Sequence, residues 1–264
     1  MKIVSLQIGR AGSQGLPGKN WRVVLGRPLC EYAMIAAHNS GVDMHHYVYT
    51  DSPEIGELAQ NVYGMEWLRT EETGKEVLTE DALINAFKLI ALDTVPDYVV
   101  LLYSNSPIIQ PGWIDKMIIH AINNPELDSV VTVVKYEMFE PLRAMEFQGE
   151  HIIVPNWYNC DSCHDTYLEQ GNSLRGSGGG IWYNDFAIQV LSKKCFNSMW
   201  TGRLPFKWQG LDIAGYQNIS GSMDLDAEWQ IPVLEWSLKQ IGFSSYETPY
   251  DEKRTESRWY NWID

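Results

Sequence analysis

Basic side chains are scarce in this chain. Lys and Arg number 20 against 34 Asp and Glu, a formal net charge of −14 over 264 residues. Binding to nucleic acid or to an anionic membrane over a broad face would have to overcome that repulsion, and the sequence shows no concentrated basic face. Long apolar runs are also missing; none approaches the length needed to span a bilayer. Met1-Lys2 leads directly into a strand-like run, without the apolar stretch and small-residue cleavage site of a signal peptide, which points to cytoplasmic residence. Cysteine is confined to Cys30, Cys160, Cys163 and Cys195, too few in a chain this long for a disulfide framework. Cys160-Asp161-Ser162-Cys163-His164 matches the C-x-x-C-H haem-attachment pattern, but that attachment belongs to exported proteins. A zinc site would need further ligands, for which His164, His151 and Asp165 are candidates, but no second C-x-x-C exists. Two thiols in a solvent-side loop is the simpler account.

What is present is an ordinary globular composition, 45% hydrophobic and 20% charged. Over the first 135 residues, strand-like and helix-like segments alternate. Strands are predicted at Lys2–Ile8, His46–Thr50, Met65–Leu68, Tyr98–Tyr103 and Ser129–Val134. Helices are predicted at Pro28–Asn39, Pro53–Tyr63, Thr79–Leu92 and Gly112–Asn123, with Pro28 and Pro53 in first-turn positions and Thr79 as a cap. Such alternation predicts an α/β fold, a Rossmann-like, mainly parallel sheet with helices on both faces. From 136 to 178 periodicity is lost, which reads as an irregular insertion into a single domain spanning 1–264. A strand at Gly180–Tyr183, a helix at Asp185–Ser192, a short strand ahead of Asp224 and a helix at Ala227–Lys239 complete the reading. The Trp-rich tail from Tyr250 is expected to pack on the surface or on a second subunit.

Sheets of this kind bind ligands at the carboxyl ends of their strands. At the end of the first strand stands Arg10-Ala11-Gly12-Ser13-Gln14-Gly15-Leu16-Pro17-Gly18-Lys19-Asn20. Glycines let backbone N–H groups approach an anion, and an Arg and a Lys neutralise it, so this loop suits phosphate. It is not a Walker A loop, because Ser13 replaces the first glycine and Asn20 the magnesium-binding hydroxyl; nor is it G-x-G-x-x-G. Asp224 and Asp226, two apart in a segment read as extended, would point their carboxylates the same way, as a hard divalent cation requires. Capping of the last helix by Asp226 is the competing reading, and Glu228 offers a third carboxylate nearby.

The loop resembles the R-x-G-S-K-G-[LI]-P-x-K-N signature of the CMP-sugar-acid synthetases, the acylneuraminate cytidylyltransferase family. The resemblance continues in order: Leu25-Gly26-Arg27-Pro28-Leu29, Tyr49-Thr50-Asp51-Ser52, Leu68-Arg69, Val100–Pro107, Asp128–Val133, Gly179–Tyr183 and Asp224-Leu225-Asp226. It implies a nucleotide-diphospho-sugar transferase type of fold with an inserted dimerisation lobe at 136–178, and a homodimer. It implies a Mg2+-dependent enzyme in which a hydroxyl or acid group of an acidic small-molecule acceptor attacks the α-phosphorus of CTP, releasing pyrophosphate. The implied nucleotide-binding residues are Arg10, Ala11, Gly12, Ser13, Gln14, Lys19, Asn20 and Arg69. Arg10, Lys19 and Asp226 are the implied catalytic residues, and Asp224 and Asp226 the Mg2+ ligands.

Departures from the pattern fall on both substrates. The family's first loop lysine is Gln14, which donates hydrogen bonds without a charge; Arg22 is the nearest substitute cation. On the acceptor side, Tyr103 replaces a Gln and Asn105 a Thr, while Arg143 and Arg175 match family cations able to grip an acid group. Trp157, Tyr158, Tyr167 and Trp182 lie in or beside the irregular region, where they suit either an acceptor pocket or a dimer interface. Two other readings stay open: a nucleotidyltransferase for a small phosphonate or phosphate acceptor or another NTP, and a non-catalytic nucleotide-binding homologue.

Overall fold

The structure is a computed structural model and describes residues 1–12, 15–70, 77–136, 144–153 and 181–251. Strand β1 (Ile3–Ile8) leads to a short antiparallel ladder of β2 (Val23–Val24) and β3 (Arg27–Pro28). There follow α1 (Glu31–His38), β4 (His45–Thr50), α2 (Pro53–Tyr63), β5 (Glu66–Arg69), α3 (Thr79–Asp93), β6 (Tyr98–Tyr103), α4 (Trp113–Asn123) and β7 (Ser129–Lys135). A small hairpin, β8 (Glu146–Gln148) and β9 (His151–Ile153), lies within the segment expected to be irregular. The chain then forms β10 (Trp182–Ser192), α5 (Lys193–Asn197), β11 (Ile213–Gln217) and α6 (Ile231–Gln240).

Seven strands make one sheet in the order β11-β7-β10-β6-β1-β4-β5. Pairings of β1 with β4 and β6, of β4 with β5 and of β7 with β11 are parallel; only β10 runs against its neighbours β6 and β7. The mainly parallel sheet is therefore as expected. Successive residues of β6 serve opposite faces. Val100 and Leu102 pack with Ala33, Met117 and Ile118 beneath α1 and α4, whereas Val99 and Leu101 pack with Leu83, Ala86 and Ile90 of α3. Among the described residues, no helix is long and apolar enough to cross a membrane.

Four local expectations are corrected. Asp185–Ser192 is strand, not helix: Asp185, Gln189 and Ser192 fall at helical spacing, but all three are buried along with Ala187, Ile188, Val190 and Leu191, as in a strand covered on both faces. Pro28 lies in β3, and α1 starts at Glu31. Thr79 begins α3 without capping it, whereas Ser52 does cap α2, accepting from Ile55 N–H with Pro53 in the first turn. The last helix is preceded by a 3-10 turn at Glu228–Gln230, so α6 begins at Ile231 rather than Ala227.

A third apolar cluster lies beyond the strand ends. Leu16 from the glycine-rich loop, Leu225 from between the two aspartates, and Leu234 and Leu238 of α6 are buried together with Tyr32 and Ile108. This cluster joins the first loop of the chain to a segment two hundred residues later.

Candidate functional site

Gly9 ends β1 with no room for a side chain: a Cβ there would lie 2.2 Å from Ser104 Oγ beyond β6. The loop that follows is folded back on itself. The buried Asn20 side chain donates from Nδ2 to the Arg10 carbonyl at 2.8 Å, and Ala11 N–H donates to Asp51 Oδ1 at 2.7 Å. Gly18, left-handed at φ 67°, turns the chain into the 3-10 turn that carries Lys19. Lys19 Nζ then lies 2.5 Å from Asp226 Oδ1.

The acidic couplet is held from its backbone. Leu225 N–H donates to the Asn105 carbonyl at 2.8 Å, which turns the Leu225 side chain into the third cluster and its two neighbours away from it. Gln230 does the rest with one amide. Its Nε2 donates to the Asp224 carbonyl at 3.0 Å, and its Oε1 accepts from Asp226 N–H at 2.7 Å and Ala227 N–H at 2.6 Å. Asp226 therefore does not cap α6; its carboxylate is free to face Lys19. Asn105 Nδ2 reaches Asp224 Oδ2 at 3.4 Å.

The two carboxyls titrate apart. Burial, then the Asp226 charge, pushes Asp224 up from 3.8 to about 6. Burial also acts upward on Asp226, but hydrogen bonding to Lys19 and its charge outweigh that and hold this carboxyl below its ordinary value. Two oxygen-donor groups that repel each other across a short gap, with an ammonium already drawn to one of them, fit a hard divalent cation. Among the described residues no third His, Cys, Asp or Glu joins them, and Glu228 is engaged by Arg22 instead. Two carboxylates suffice for Mg2+ where phosphate oxygens supply the remaining positions.

Arg10, Lys19, Asn20 and Asp224 line one cleft of about 350 Å3 with Tyr103 and Asn105. A chain of rings forms one wall: Tyr103 to Phe186 at 5.4 Å, Phe186 to Phe206 at 4.9 Å and Phe206 to Trp208 at 5.4 Å between centroids. The Tyr103 hydroxyl is buried without a hydrogen-bond partner, and burial raises its pKa well above the usual phenol range. Gln189 faces it; the Gln189 oxygen accepts from Trp208 Nε1 at 2.8 Å, while its Nε2 closes no hydrogen bond of normal geometry.

The predicted residues Arg10, Lys19, Asn20, Tyr103, Asn105, Asp224 and Asp226 thus converge. Ala11 and Gly12 lie in the same loop, exposed. Arg69 does not line the cleft; its guanidinium sits 5.6 Å from the Trp67 ring, and Thr70 lines the cleft instead. Arg22, the substitute cation, is paired with Glu228. Trp182 is exposed on β10 rather than in the cleft. Ser13, Gln14, Arg143, Arg175, Cys160, Cys163, Trp157, Tyr158 and Tyr167 lie outside the described residues. Sequence reasoning missed Phe186, Phe206, Trp208, Gln189 and Gln230. Reading 185–192 as helix hid Phe186 and Gln189; the capping-box spacing of Gln230, three residues after Ala227, was the one usable signal.

Comparison with known proteins gives the family and the fold. Residues 8–146, more than half of the chain, match the family model for cytidylyltransferases. The CMP-N,N'-diacetyllegionaminic acid synthase of Legionella pneumophila is 28% identical over 247 residues, covering 91% of this chain and 95% of that protein. The N-acylneuraminate cytidylyltransferase of Oncorhynchus mykiss is 23% identical over 94% of this chain, which spans only about half, 52%, of that longer protein. Among solved structures, CMP:2-keto-3-deoxy-manno-octonic acid synthetase, determined as a complex with CTP, shares the fold at a TM-score of 0.61 and 16% identity, with 91% of this chain and 99% of that one aligned. The chain belongs to the cytidylyltransferase family and is a nucleotidyltransferase.

Proposed function

We propose that the protein transfers CMP from CTP to a nonulosonic-type sugar acid, releasing pyrophosphate, with Mg2+ held by Asp224 and Asp226. The observation that carries the proposal is that Lys19 and Asp224, from distant parts of the chain, line one cleft while Lys19 pairs with Asp226. Bound Mg2+ would offset charge on the phosphate oxygens. Lys19 and Arg10 would pair with the triphosphate, and Asn20, buried with an unpartnered Oδ1 at the cleft, would fix the loop around it. The acceptor oxygen would form its bond to the α-phosphorus as the bond from that phosphorus to the β-phosphate bridging oxygen breaks; the acceptor proton leaves to solvent or a base.

The acceptor class follows from two considerations. The relatives covering most of the chain are named for N-acylated sugar acids. The cleft wall of Tyr103, Phe186, Phe206 and Trp208 offers apolar surface next to polar groups, as an acylated sugar needs. Pyrophosphate release with CTP and a panel of sugar acids tests the proposal. Release with at least one N-acylated nine-carbon sugar acid is expected; silence with every acceptor, together with no CTP binding by calorimetry, would refute it.

A further inference from the structure

We propose that Asp185 is a positioning residue of the active site: a buried carboxylate that locks the bulge of β10 to the turn at Asn218–Ser222, and so sets both Phe186 in the cleft wall and the Asp224–Asp226 couplet. The inference rests on the reading of that couplet as the metal-binding part of the site.

Asp185 is 2% exposed. Its Oδ1 accepts from Thr132 Oγ1 at 2.5 Å and Ala187 N–H at 3.1 Å; its Oδ2 accepts from Asn218 Nδ2 at 2.7 Å and Ser222 Oγ at 2.6 Å. Among the described residues every one of these partners is neutral. A carboxylate buried without a cation is costly, and it is tolerable here because four donors fill its acceptor sites. The amide of an asparagine could not do the same, since half of it is a donor and would face donors.

The four partners come from places that must be in register for the cleft to exist. Ala187 N–H closes a turn within β10, where pairing with β7 shifts between Asn184 and Gln189 and Phe186 adopts φ +56°. A phenylalanine rarely takes that left-handed conformation, and here it brings the ring against Tyr103 and Phe206. Thr132 belongs to β7 and also accepts from Ile188 N–H at 3.0 Å, which fixes the far side of the bulge. Asn218 and Ser222 begin the segment leading to Asp224; Asn218 also donates to the Ile108 carbonyl at 2.8 Å, and Tyr136 Oη donates to the Ser222 carbonyl. Downstream, Asn105 and Gln230 hold the couplet directly. Asp185 is the upstream anchor.

Titration of the full-length protein with Mn2+ in the presence of CTP, followed by electron paramagnetic resonance, tests the assignment together with amide exchange over residues 218–226. Asp185→Asn and Ser222→Ala are each expected to weaken Mn2+ binding about tenfold, the lower end of what loss of a supporting shell costs. Both should also speed exchange in that segment. Ile118→Ala, a core truncation in α4 outside both the cleft lining and this network, should lower Tm without moving Mn2+ affinity. Wild-type affinity in folded Asp185→Asn and Ser222→Ala would overturn the proposal; if Asp185→Asn does not fold, Ser222→Ala decides. Asp224→Asn separates the two readings. If the wild type shows no Mn2+ binding that Asp224→Asn removes, the metal reading has failed, and exchange alone judges the anchor: faster exchange in the variants supports it and unchanged exchange overturns it.

Discussion

Asp224 sits where burial and a neighbouring charge oppose its ionisation. Its folded pKa of about 6 lies above the ordinary 3.8, so the fold disfavours the charged form. At a pH below both values the group is protonated in either state and contributes nothing to pH dependence. As pH rises through this window the penalty grows, and above about 6 it is complete. The metal-free protein should therefore lose on the order of 1–2 kcal/mol from this group between acid and neutral pH, allowing for solvent screening at the cleft. Asp224→Asn should raise the Tm of the metal-free protein at pH 7.5 and abolish turnover; calorimetry and a pyrophosphate assay check the pair, and a lowered Tm would contradict it. The same ionisation sets the metal's pH dependence. Binding needs the carboxylate, so Mn2+ or Mg2+ affinity should fall as pH drops through about 6, where binding releases the proton the group then carries. Affinity flat from pH 5 to 8 would be inconsistent with this.

Among the elements, β10 and the segment before α6 do most to build the site. Phe186 reaches the cleft only because β10 bulges. Phe186→Ala should raise the KM for the sugar acid about tenfold while leaving the KM for CTP unchanged, a split that steady-state kinetics with each substrate varied resolves. Gln230→Ala removes the acceptor of the Asp226 and Ala227 N–H groups, at about 1 kcal/mol of stability since water can reach them, and frees the couplet. A drop in kcat of tenfold or more is expected, and an unchanged kcat would show that Asn105 alone suffices. The helical periods of α2 and α4 and the continuous apolar run of β6 were legible in the sequence, with bounds close to those observed. The run Asp185–Ser192 was not, because its polar residues Asp185, Gln189 and Ser192 fall at helical spacing, although all three are buried in a strand covered on both faces. Pro28 misled for a different reason: proline suits a helix start, but here it pairs across from Val23 in a two-residue ladder.

At the scale of the whole molecule, the site depends on a contact between the first loop and the last third of the chain. Leu16 and Leu225 are buried in one cluster with α6, and this brings Lys19 to Asp226. Motif order made the participating residues readable; their meeting was not, since no local pattern encodes a contact across some two hundred residues. The aromatic wall was unreadable for the same reason, being assembled from β6, β10 and the loop before β11. Leu225→Ala should cost about 2–5 kcal/mol through the cavity it leaves and should impair metal binding beyond its loss of stability.

Crystals grown with CTP and Mn2+, with anomalous scattering collected at the manganese edge, address the central claim most directly. A peak between the Asp224 and Asp226 carboxylates is expected, with the triphosphate beside it and Lys19 Nζ turned from Asp226 to a phosphate oxygen. A nucleotide bound elsewhere, or manganese with neither aspartate within coordination distance, would contradict the account.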